Sequence, residues 1–452
     1  MAPLPEVLGD LRDALSARIE AKGVPGASAA VLFDGQVVEA AAGVLNLRTG
    51  VEATPDSLFQ IGSITKVYTA SLVMQLVDAG SVELDAPVRR YLPEFAVADA
   101  EASEAITVRH LLSHTAGFDG GDFFYDGGRG DDTLARYVAA LAQLDQLSAP
   151  GEIWSYNNAG FTVLGRLVEV VTGQLWDDAL RERLLEPAGL DHSVTFAEDA
   201  LLFRTAGGHQ PGEDGEPRLV RKWGLNRSAG PAGIICASAA DVVAFARIHL
   251  EDGKGVLSPA SVKAMQEEQV RFPGETEAGC GLGWIVRQLD GAKAIGHNGG
   301  TVGQLAFLTA VPERGFAMAL LTNGTSGVAV WQEMCAHVTD RLGLPSHKPV
   351  LPKPPAEPPD LDVALYAGRY ERRAVHTTVS VEDGKLLASV EYVDVPYDLT
   401  PPPPMPLTPV DAETFVVLGS DGEPVASMHF VDFGGDGRPQ KLFAARLSRR
   451  VG

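Results

Sequence analysis

The chain is short of basic charge. It carries 37 Lys and Arg against 59 Asp and Glu, which gives a formal net charge of −22 over 452 residues. Nucleic-acid binding depends on clustered Lys and Arg that neutralise phosphates, so this balance argues against a polyanionic partner. The acidic surface is interpreted as a means of keeping the protein in solution. We therefore expect no nucleic acid among its partners.

Paired cysteines and long apolar runs are also missing. The three cysteines, Cys236, Cys280 and Cys335, are odd in number and lack paired spacing, which predicts buried free thiols rather than a disulfide framework. No apolar run reaches the roughly 18 residues of a membrane span, so no membrane partner is expected. Charged residues interrupt the N-terminal stretch, which does not fit a secretory signal, and we expect a cytoplasmic protein.

Several catalytic signatures are absent from the sequence. Neither H-E-x-x-H nor Cys-x-x-Cys spacing occurs, so we expect no metal and no cofactor. The G-x-S-x-G elbow of α/β-hydrolases is also absent around Ser63, which disfavours that fold. Any chemistry must therefore come from ordinary side chains.

Hydrophobic periodicity predicts an α+β catalytic domain over residues 1–344. Strand patterns lie near both of its ends, which predicts an antiparallel sheet flanked by helices, with an inserted helical cluster at about 107–270. Asp34-Gly35 marks a two-residue hairpin between the first two strands. The predicted helices are 5–22, 63–79, 133–144, 158–171, 175–185, 239–250 and 328–342, and the predicted strands are 27–33, 36–42, 282–286, 304–310 and 316–321.

A second domain is predicted behind a proline-rich linker. Seven of the sixteen residues from 345 to 360 are proline, which is typical of an extended spacer. Residues 361–452 show only strand patterns and Asp-Gly turns, at 383, 421 and 436. This predicts a small all-β barrel, interrupted by a loop at Pro401–Pro404.

A serine and a lysine three residues apart form the first candidate motif, Ser63-Ile64-Thr65-Lys66. On a helix these two side chains share a face. Serine becomes a nucleophile only when a neighbouring group takes its proton, and a desolvated lysine can do so. At a helix start, the serine N–H can also stabilise an oxyanion. The alternative is a helix cap with an exposed lysine.

The second motif, Tyr156-Asn157-Asn158, is the only Tyr-x-Asn in the chain. A phenol beside Lys66 would have its ionised form stabilised and would act as a general base. Asn158 offers a donor and an acceptor to a substrate amide. Alternatively, Asn158 only caps the helix that follows.

The third motif, His297-Asn298-Gly299-Gly300, is the only His-x-Gly and precedes the strand predicted at 304–310. Its glycines would let substrate backbone approach an edge strand, and the Gly300 N–H would complete an oxyanion hole. The alternative for His297 is a surface turn. Each motif alone is a weak signal, but all three in one consistent order form a strong one.

Together, the three motifs resemble those of the penicillin-binding-protein and class C β-lactamase superfamily of serine acyl enzymes. Residues 111–118, Leu-Leu-Ser-His-Thr-Ala-Gly-Phe, are similar to the family's segment that leads to the catalytic pocket. The resemblance implies that Ser63 is acylated, that Lys66 assists, and that Tyr156 shuttles protons. It also implies that the N–H groups of Ser63 and Gly300 stabilise the oxyanion.

Two further features resemble particular branches of this superfamily. His297 stands where true β-lactamases have lysine, as in the esterase, amidase and peptidase branches, which implies poor β-lactam hydrolysis. Residues 365–370, Leu-Tyr-Ala-Gly-Arg-Tyr, resemble the opening strand of a lipocalin-like C-terminal domain. The whole layout resembles the stand-alone penicillin-binding-protein-type thioesterases of nonribosomal peptide biosynthesis, of which the surugamide cyclase is the type.

This resemblance implies that Ser63 takes a peptide from a carrier-protein-bound thioester and releases it by head-to-tail macrolactamisation or hydrolysis. The barrel would supply the wall that keeps water from the acyl enzyme. Arg446 would hold a substrate carboxylate or carbonyl, or else belong to a solvated tail with Arg449 and Arg450. We expect a monomer. A cytoplasmic esterase or D-amino-acid amidase or peptidase of the same superfamily, and a non-catalytic binding module, stay open as alternatives.

Overall fold

The computed structural model describes residues 3–345, 351–395 and 401–451. In the first domain the strands are β1 Gly26–Phe33, β2 Gln36–Asn46, β3 Val51–Glu52, β4 Phe59–Gln60, β5 Ser193–Val194, β6 His209–Pro211, β7 Pro217–Leu219, β8 Cys236–Ala237, β9 Val270–Arg271, β10 Ala278–Cys280, β11 Ile285–Leu289, β12 Ala292–Thr301, β13 Gln304–Val311 and β14 Phe316–Thr322. The helices are α1 Leu4–Val7, α2 Leu11–Ala21, α3 Thr65–Asp78, α4 Ala100–Ala105, α5 Val108–Leu112, α6 Thr133–Ala140, α7 Asn158–Thr172, α8 Trp176–Leu180, α9 Glu186–Ala188, α10 Ala197–Ala200, α11 Gly230–Gly233, α12 Ala239–Leu250, α13 Pro259–Met265 and α14 Gly327–Leu342.

The main sheet of this domain joins the two ends of its sequence. In the described residues its nine strands run in the order β3-β2-β1-β14-β13-β12-β11-β10-β9, and all neighbouring pairs are antiparallel. Alternate residues of β1 point into different cores, because successive side chains of a strand face opposite sides. One core includes α2 and α14, and the other holds the inserted helices. The predicted α+β class and layout are confirmed.

Most predicted elements of this domain are present, and the differences have local causes. The Asp34-Gly35 turn is confirmed, with φ of 48° and 74° at its two residues. The helix predicted at 5–22 is instead two helices, α1 and α2, separated around Gly9, a poor helix former. The strand predicted at 282–286 lies at Ile285–Leu289, since Gly283 adopts a φ of 86° and packs tightly against Ala70. The helices predicted at 133–144 and 175–185 leave α geometry after residues 140 and 180.

The second domain is a closed eight-stranded barrel in the described residues, with its strands in sequence order. They are β15 Gly368–Arg372, β16 Val375–Glu382, β17 Lys385–Tyr392, β18 Met405–Pro409, β19 Thr414–Leu418, β20 Pro424–Phe433, β21 Pro439–Ala444 and β22 Arg446–Val451. Tyr370, Phe415 and Phe430 fill its core. The predicted barrel is thus confirmed, although the strand expected at 365–370 begins only at Gly368, behind a 3₁₀ turn.

The stretch between the two domains contains the predicted linker. Residues 346–350 of it lie outside the described residues, and the predicted boundaries at 344 and 361 stay predictions. Residues 401–404 have no regular secondary structure, as expected of a proline loop. Cys236, Cys280 and Cys335 are buried free thiols, as predicted. Across the described ranges, no helix combines the length and apolarity needed to cross a membrane.

The barrel packs directly on the catalytic domain. Trp154 and Cys280 of the catalytic domain form an apolar cluster with Phe443 and Leu447 of the barrel. The Leu447 N–H donates to Ser155 Oγ at 3.0 Å. This contact sets the turn between β21 and β22 beside the loop that leads into α7.

Candidate active site

Ser63 and Lys66 lie where a 3₁₀ turn, Gly62–Ile64, runs into α3. Lys66 Nζ is hydrogen bonded to Ser63 Oγ at 3.0 Å and to the carbonyl of Ala232 at 2.6 Å. The lysine side chain is completely buried. Burial lowers the pKa of Lys66 well below its usual 10.5, and the positive charge of Arg446 lowers it further. A neutral amine beside a serine hydroxyl can accept its proton.

Tyr156 lies in the loop just before α7, close to both of these residues. Its ring centroid is 5.0 Å from Lys66 Nζ. Its buried hydroxyl lies near Ser63 but makes no hydrogen bond of good geometry within the described residues. Burial raises the pKa of Tyr156, and the Ser63 hydroxyl and the Arg446 charge offset this only in part. The expectation of an ionised phenol is therefore corrected, because desolvation outweighs the nearby positive charge and keeps the phenol protonated.

His114 is a residue of the site to which the sequence patterns assigned no role. Its carbonyl accepts the N–H of Ser155 at 2.9 Å, and its Nδ1 accepts the N–H of Asn157 at 2.9 Å. Its ring centroid lies 4.5 Å from that of Tyr156. The residue thus holds Tyr156 from both sides, with a φ of 57° that is uncommon outside glycine. In the sequence, the position of His114 within the 111–118 segment was the signal that could have indicated a role in the site.

The protonation state of His114 follows from these contacts. Nδ1 accepts a hydrogen bond, so the proton of the neutral ring must be on Nε2. Burial lowers the pKa of His114 well below 6.5. The ring is therefore a neutral support for the tyrosine.

The glycines of the third motif pack against the serine turn. A Cβ on Gly299 would lie 1.8 Å from the carbonyl oxygen of Ile61 and 3.0 Å from the Ser63 nitrogen. A Cβ on Gly62, which has a φ of 51°, would lie 2.6 Å from the Gly300 nitrogen. The expectation that these glycines admit substrate to an edge strand needs correction: β12 lies between β11 and β13, and Gly299 contacts the protein's own backbone. Ser63 and Gly300 both line one cavity.

His297 and Asn298 point to opposite faces of β12. His297 is buried, its ring centroid is 6.1 Å from that of Tyr156, and its Nδ1 donates to the carbonyl of Asn298 at 2.6 Å. The surface-turn alternative is therefore wrong. Burial lowers the pKa of His297 to about 3. The Asn298 side chain is exposed and is not among the described residues that line the cavity, so the structure does not bring it to the site as a substrate ligand.

The two asparagines of the second motif have different roles. Asn157, not Asn158, caps α7, since its Oδ1 accepts the N–H of Gly160 at 3.0 Å. Asn158 is left to line the cavity, where its Nδ2 donates to the carbonyl of Gly121 at 2.6 Å. Its side-chain oxygen stays available to a substrate N–H.

Arg446 reaches the site from the turn between β21 and β22. Its guanidinium lies 5.3 Å from the Tyr156 ring centroid and 3.5 Å from a carboxylate oxygen of Asp122. Arg372 of β15 forms a second ion pair with the same carboxylate. Gly121 permits this approach, because a Cβ there would lie 2.6 Å from Arg446 Cδ. The side chain is 23% exposed, unlike the solvated tail considered as an alternative.

A cavity of about 280 Å³ joins these residues. Ser63, Tyr156, Asn158, Gly300 and Arg446 all line it. One wall is aromatic, formed by Phe123, Phe124, Tyr125 and Tyr137. The sequence patterns did not single out this wall, although three consecutive aromatics in a chain with 7% aromatic content were an available signal. Within the described residues, no group of three or more His, Cys, Asp or Glu is arranged to hold a metal.

Comparisons with known proteins agree with this geometry. The family model described as "Beta-lactamase" matches residues 11–336. Penicillin-binding protein 4 of Amycolatopsis lactamdurans is 49% identical over 362 residues, which cover 77% of this chain and 93% of that protein. The crystal structure of SurE is similar over 98% of this chain and 100% of its own, with 30% identity and a TM-score of 0.82. The structure of SurE with D-Leu has the same identity and coverage and a TM-score of 0.76.

The family model covers well over half of the chain, and the likeness to SurE extends through the barrel. The chain therefore belongs to the penicillin-binding-protein and β-lactamase superfamily of serine hydrolases, and over its full length it has the architecture of SurE.

Proposed function

We propose that the protein is a stand-alone thioesterase that releases a nonribosomal peptide as a macrolactam. The observation that carries this proposal is that Arg446 of the barrel and Ser63 of the catalytic domain line one cavity. The barrel is thus part of the site rather than an appendage. The similarity to SurE, which covers 98% of this chain and includes the barrel, supports the same assignment.

The reaction has two acyl transfers. Ser63 Oγ attacks the carbonyl of the peptidyl thioester, a C–O bond forms, the C–S bond breaks, and the carrier thiol leaves with a proton. The N-terminal amine of the peptide then attacks the ester, a C–N bond forms, the C–O bond breaks, and a proton returns to Ser63 Oγ. The net change converts a thioester and an amine into an amide and a thiol.

The lowered pKa of Lys66 and the raised pKa of Tyr156 assign the proton carriers in these steps. Burial lowers the pKa of Lys66 and so favours its neutral amine, which takes the proton of Ser63. Tyr156 has a raised pKa and is protonated, so it passes the proton of the Lys66 ammonium on to the leaving thiolate, giving up one proton and taking another, and ends neutral. The N–H groups of Ser63 and Gly300 stabilise the oxyanion of each tetrahedral intermediate.

The cavity admits only the acyl end of a peptide. Its volume of about 280 Å³ lies below the roughly 300–1,000 Å³ of pockets that enclose a drug-sized ligand. The aromatic wall suits an apolar side chain, and the SurE structure with D-Leu supports a D-residue at this end. The remainder of the peptide folds back outside the cavity, where its amine gains from proximity if water is excluded.

The partner in this proposal is a peptidyl carrier protein that presents the thioester, and the enzyme acts as a monomer. Carrier-bound peptides occur inside the cell, so the proposal also implies a cytoplasmic location. A purely non-catalytic role is disfavoured, because Ser63 and Tyr156, which line the cavity, both lie close to the buried Lys66.

The decisive experiment uses a linear peptidyl thioester with a D-residue at its C-terminus and a free N-terminal amine. Mass spectrometry distinguishes the cyclic peptide from the linear acid. We expect the cyclic product from the wild-type protein and none from Ser63→Ala. The linear acid alone, with rapid turnover of simple aryl esters, would overturn the cyclase proposal in favour of hydrolysis.

That hydrolytic outcome is the second candidate, an esterase or a D-amino-acid amidase or peptidase. His297 in the third motif favours it, since the resemblance associates histidine at this position with those branches. The two candidates share Ser63, Lys66 and Tyr156, and they differ only in whether water or an amine resolves the acyl enzyme.

A further inference from the structure

The segment from β7 to the cavity carries an unusual charge for this protein. Residues 217–227 contain four basic residues and no Asp or Glu, whereas the whole chain has 59 acidic and 37 basic residues. Two of the four are paired, Arg218 with Asp214 and Arg227 with Asp131 and Asp177. Arg221, Lys222 and Trp223 are consecutive and exposed, and we call them the basic rim. Neither Arg221 nor Lys222 has an ion-pair partner among the described residues.

The basic rim is attached to the walls of the active site at both ends. Before it, the Val220 N–H donates to the carbonyl of Gly208 at 2.8 Å, and Gly208 packs against Val302, a cavity residue. After it, Gly224 packs against Gln60, in the strand that leads to the serine turn. The position of the rim is therefore set by the same backbone that forms the cavity.

The distance from the rim to the cavity is short. Leu225 and Asn226, which follow the rim, line the cavity together with Ser63. Lys222 precedes Leu225 by three residues, which span at most about 11 Å of extended chain. A macromolecule bound at the rim would thus stand at the entrance to the serine.

The rim also has an apolar component. Trp223 is 38% exposed, and it lines a neighbouring groove with Phe196 and with Glu198 and Asp199 of α10, of which Glu198 pairs with Arg129. Leu201 and Leu202, directly after that helix, are 81% and 82% exposed. Exposed apolar side chains next to unpaired charge are typical of a protein-binding surface.

We infer that the basic rim is the docking surface for an acidic carrier protein, which delivers its thioester arm past Leu225 and Asn226 to Ser63. The inference rests on the proposed function. A locally positive surface on a protein of net charge −22 selects a negatively charged partner and speeds their association, because like charges elsewhere on the protein repel it.

The test compares one peptide in two presentations. A peptidyl carrier domain of net negative charge holds it through its phosphopantetheine thiol, and the same peptide is also prepared as a thioester of N-acetylcysteamine. We expect Arg221→Glu/Lys222→Glu to raise the KM for the carrier-bound peptide about tenfold and to leave the small thioester unchanged. Activity on the small thioester also shows that the variant is folded.

The matched control reverses two exposed charges elsewhere. Arg12→Glu/Lys385→Glu makes the same change in net charge in α2 and β17, where neither residue has an ion pair among the described residues. It should leave both KM values unchanged. Trp223→Ala should raise the KM for the carrier-bound peptide alone, and added salt should weaken turnover of that substrate only.

The possible outcomes distinguish failure of the docking surface from failure of the proposed function. Equal KM values for the carrier-bound peptide in the rim variant, the control and the wild-type protein would overturn the docking surface and leave the cyclase proposal intact. A parallel loss with both thioesters would also overturn it, since the rim would then act on catalysis. Failure of the wild-type protein to cyclise either substrate would overturn the proposed function itself.

Discussion

The two halves of the active site are built in different ways. In the serine half, Ser63 and Lys66 share one helical start, and their hydrogen bond joins residues three positions apart. In the barrel half, Arg446 is held by Asp122, and the adjacent contact between Leu447 and Ser155 joins residues 292 positions apart. One half depends on local geometry and the other on the docking of two domains.

The difference suggests a division of work. The serine half is buried and contains groups whose pKa values are set by desolvation, which suits chemistry common to every acyl substrate. The barrel half presents a charge through an ion-pair network, which suits recognition of particular substrates. Variants in the first half are therefore expected to affect all substrates alike, and the effects of variants in the second half are expected to depend on the substrate.

The largest effect is expected from Ser63→Ala. Removal of the nucleophile should lower kcat about 10⁴-fold or more with peptidyl thioesters and aryl esters alike. Ser71→Ala is the matched control, because it removes a buried hydroxyl of α3 whose hydrogen bonds in the described residues are to Val67 and His249. Steady-state rates on both substrates check this, and a residual rate within tenfold of wild type would exclude Ser63 as the nucleophile.

Tyr156→Phe should come next, with a loss in kcat of about 10²–10⁴-fold, since general acid catalysis contributes on this scale. The loss should be the same for small and large substrates. Tyr137→Phe serves as the control, because it removes another hydroxyl that lies on the same cavity and bonds to the Phe123 carbonyl. A loss confined to peptides would contradict a role for Tyr156 in the chemistry.

Arg446→Met should distinguish the barrel half from the serine half. We expect kcat/KM to fall about 10–100-fold for peptidyl thioesters, because a charged hydrogen bond to the substrate is lost. Turnover of a small aryl ester should fall less, because there only the shift in the pKa of Lys66 on loss of the Arg446 charge remains. Arg449→Met is the control, since that residue lies in the same strand but pairs with Asp145 at the surface.

Asp122→Asn tests how Arg446 is held. The substitution leaves Arg372 and Arg446 near each other without the carboxylate that pairs with both. The melting temperature should fall, because breaking a buried ion pair leaves uncompensated charge, at a cost on the order of 3 kcal/mol. If Arg446→Met abolishes the turnover of aryl esters as well, the distinction between the two halves is removed. The same holds if Asp122→Asn leaves the melting temperature unchanged.

The same division explains what could be predicted from the sequence. Spacing and periodicity within short windows predict the Ser63–Lys66 pair, the α+β layout and the barrel. The layout and the barrel are confirmed, and the side chains of Ser63 and Lys66 are hydrogen bonded. The role of Gly299, the outward side chain of Asn298 and the aromatic wall at 123–125 depend on which segments meet in space. Local patterns do not contain that information.

The protonation of Tyr156 is a second property that local sequence patterns do not predict. From the sequence, a phenol near a lysine is expected to ionise, since opposite charges attract. In the structure the Lys66 side chain and the Tyr156 hydroxyl are both buried. Burial lowers the pKa of the lysine and raises that of the tyrosine. The depth of burial decides the direction, and it becomes known only with the fold.

His114→Ala should have a moderate effect within the serine half, with a loss in kcat of about tenfold. His114→Asn should restore most of the rate, because asparagine tolerates a positive φ and offers an acceptor near the Asn157 N–H. Rescue by asparagine indicates positioning of Tyr156 rather than proton transfer. Equal losses in the two variants would contradict it.

The smallest effect concerns the pH dependence of kcat/KM. Only neutral Lys66 can accept the proton of Ser63, so the rate should fall as the pH is lowered through the pKa of Lys66, which burial holds below 10.5. His297 has a pKa of about 3 and stays neutral throughout this range. His297→Gln should therefore leave the acid limb of the profile in place, even where the rate itself changes. A limb that moves or disappears in this variant would show that His297, and not Lys66, carries the titrating proton, and the serine half would then extend to β12.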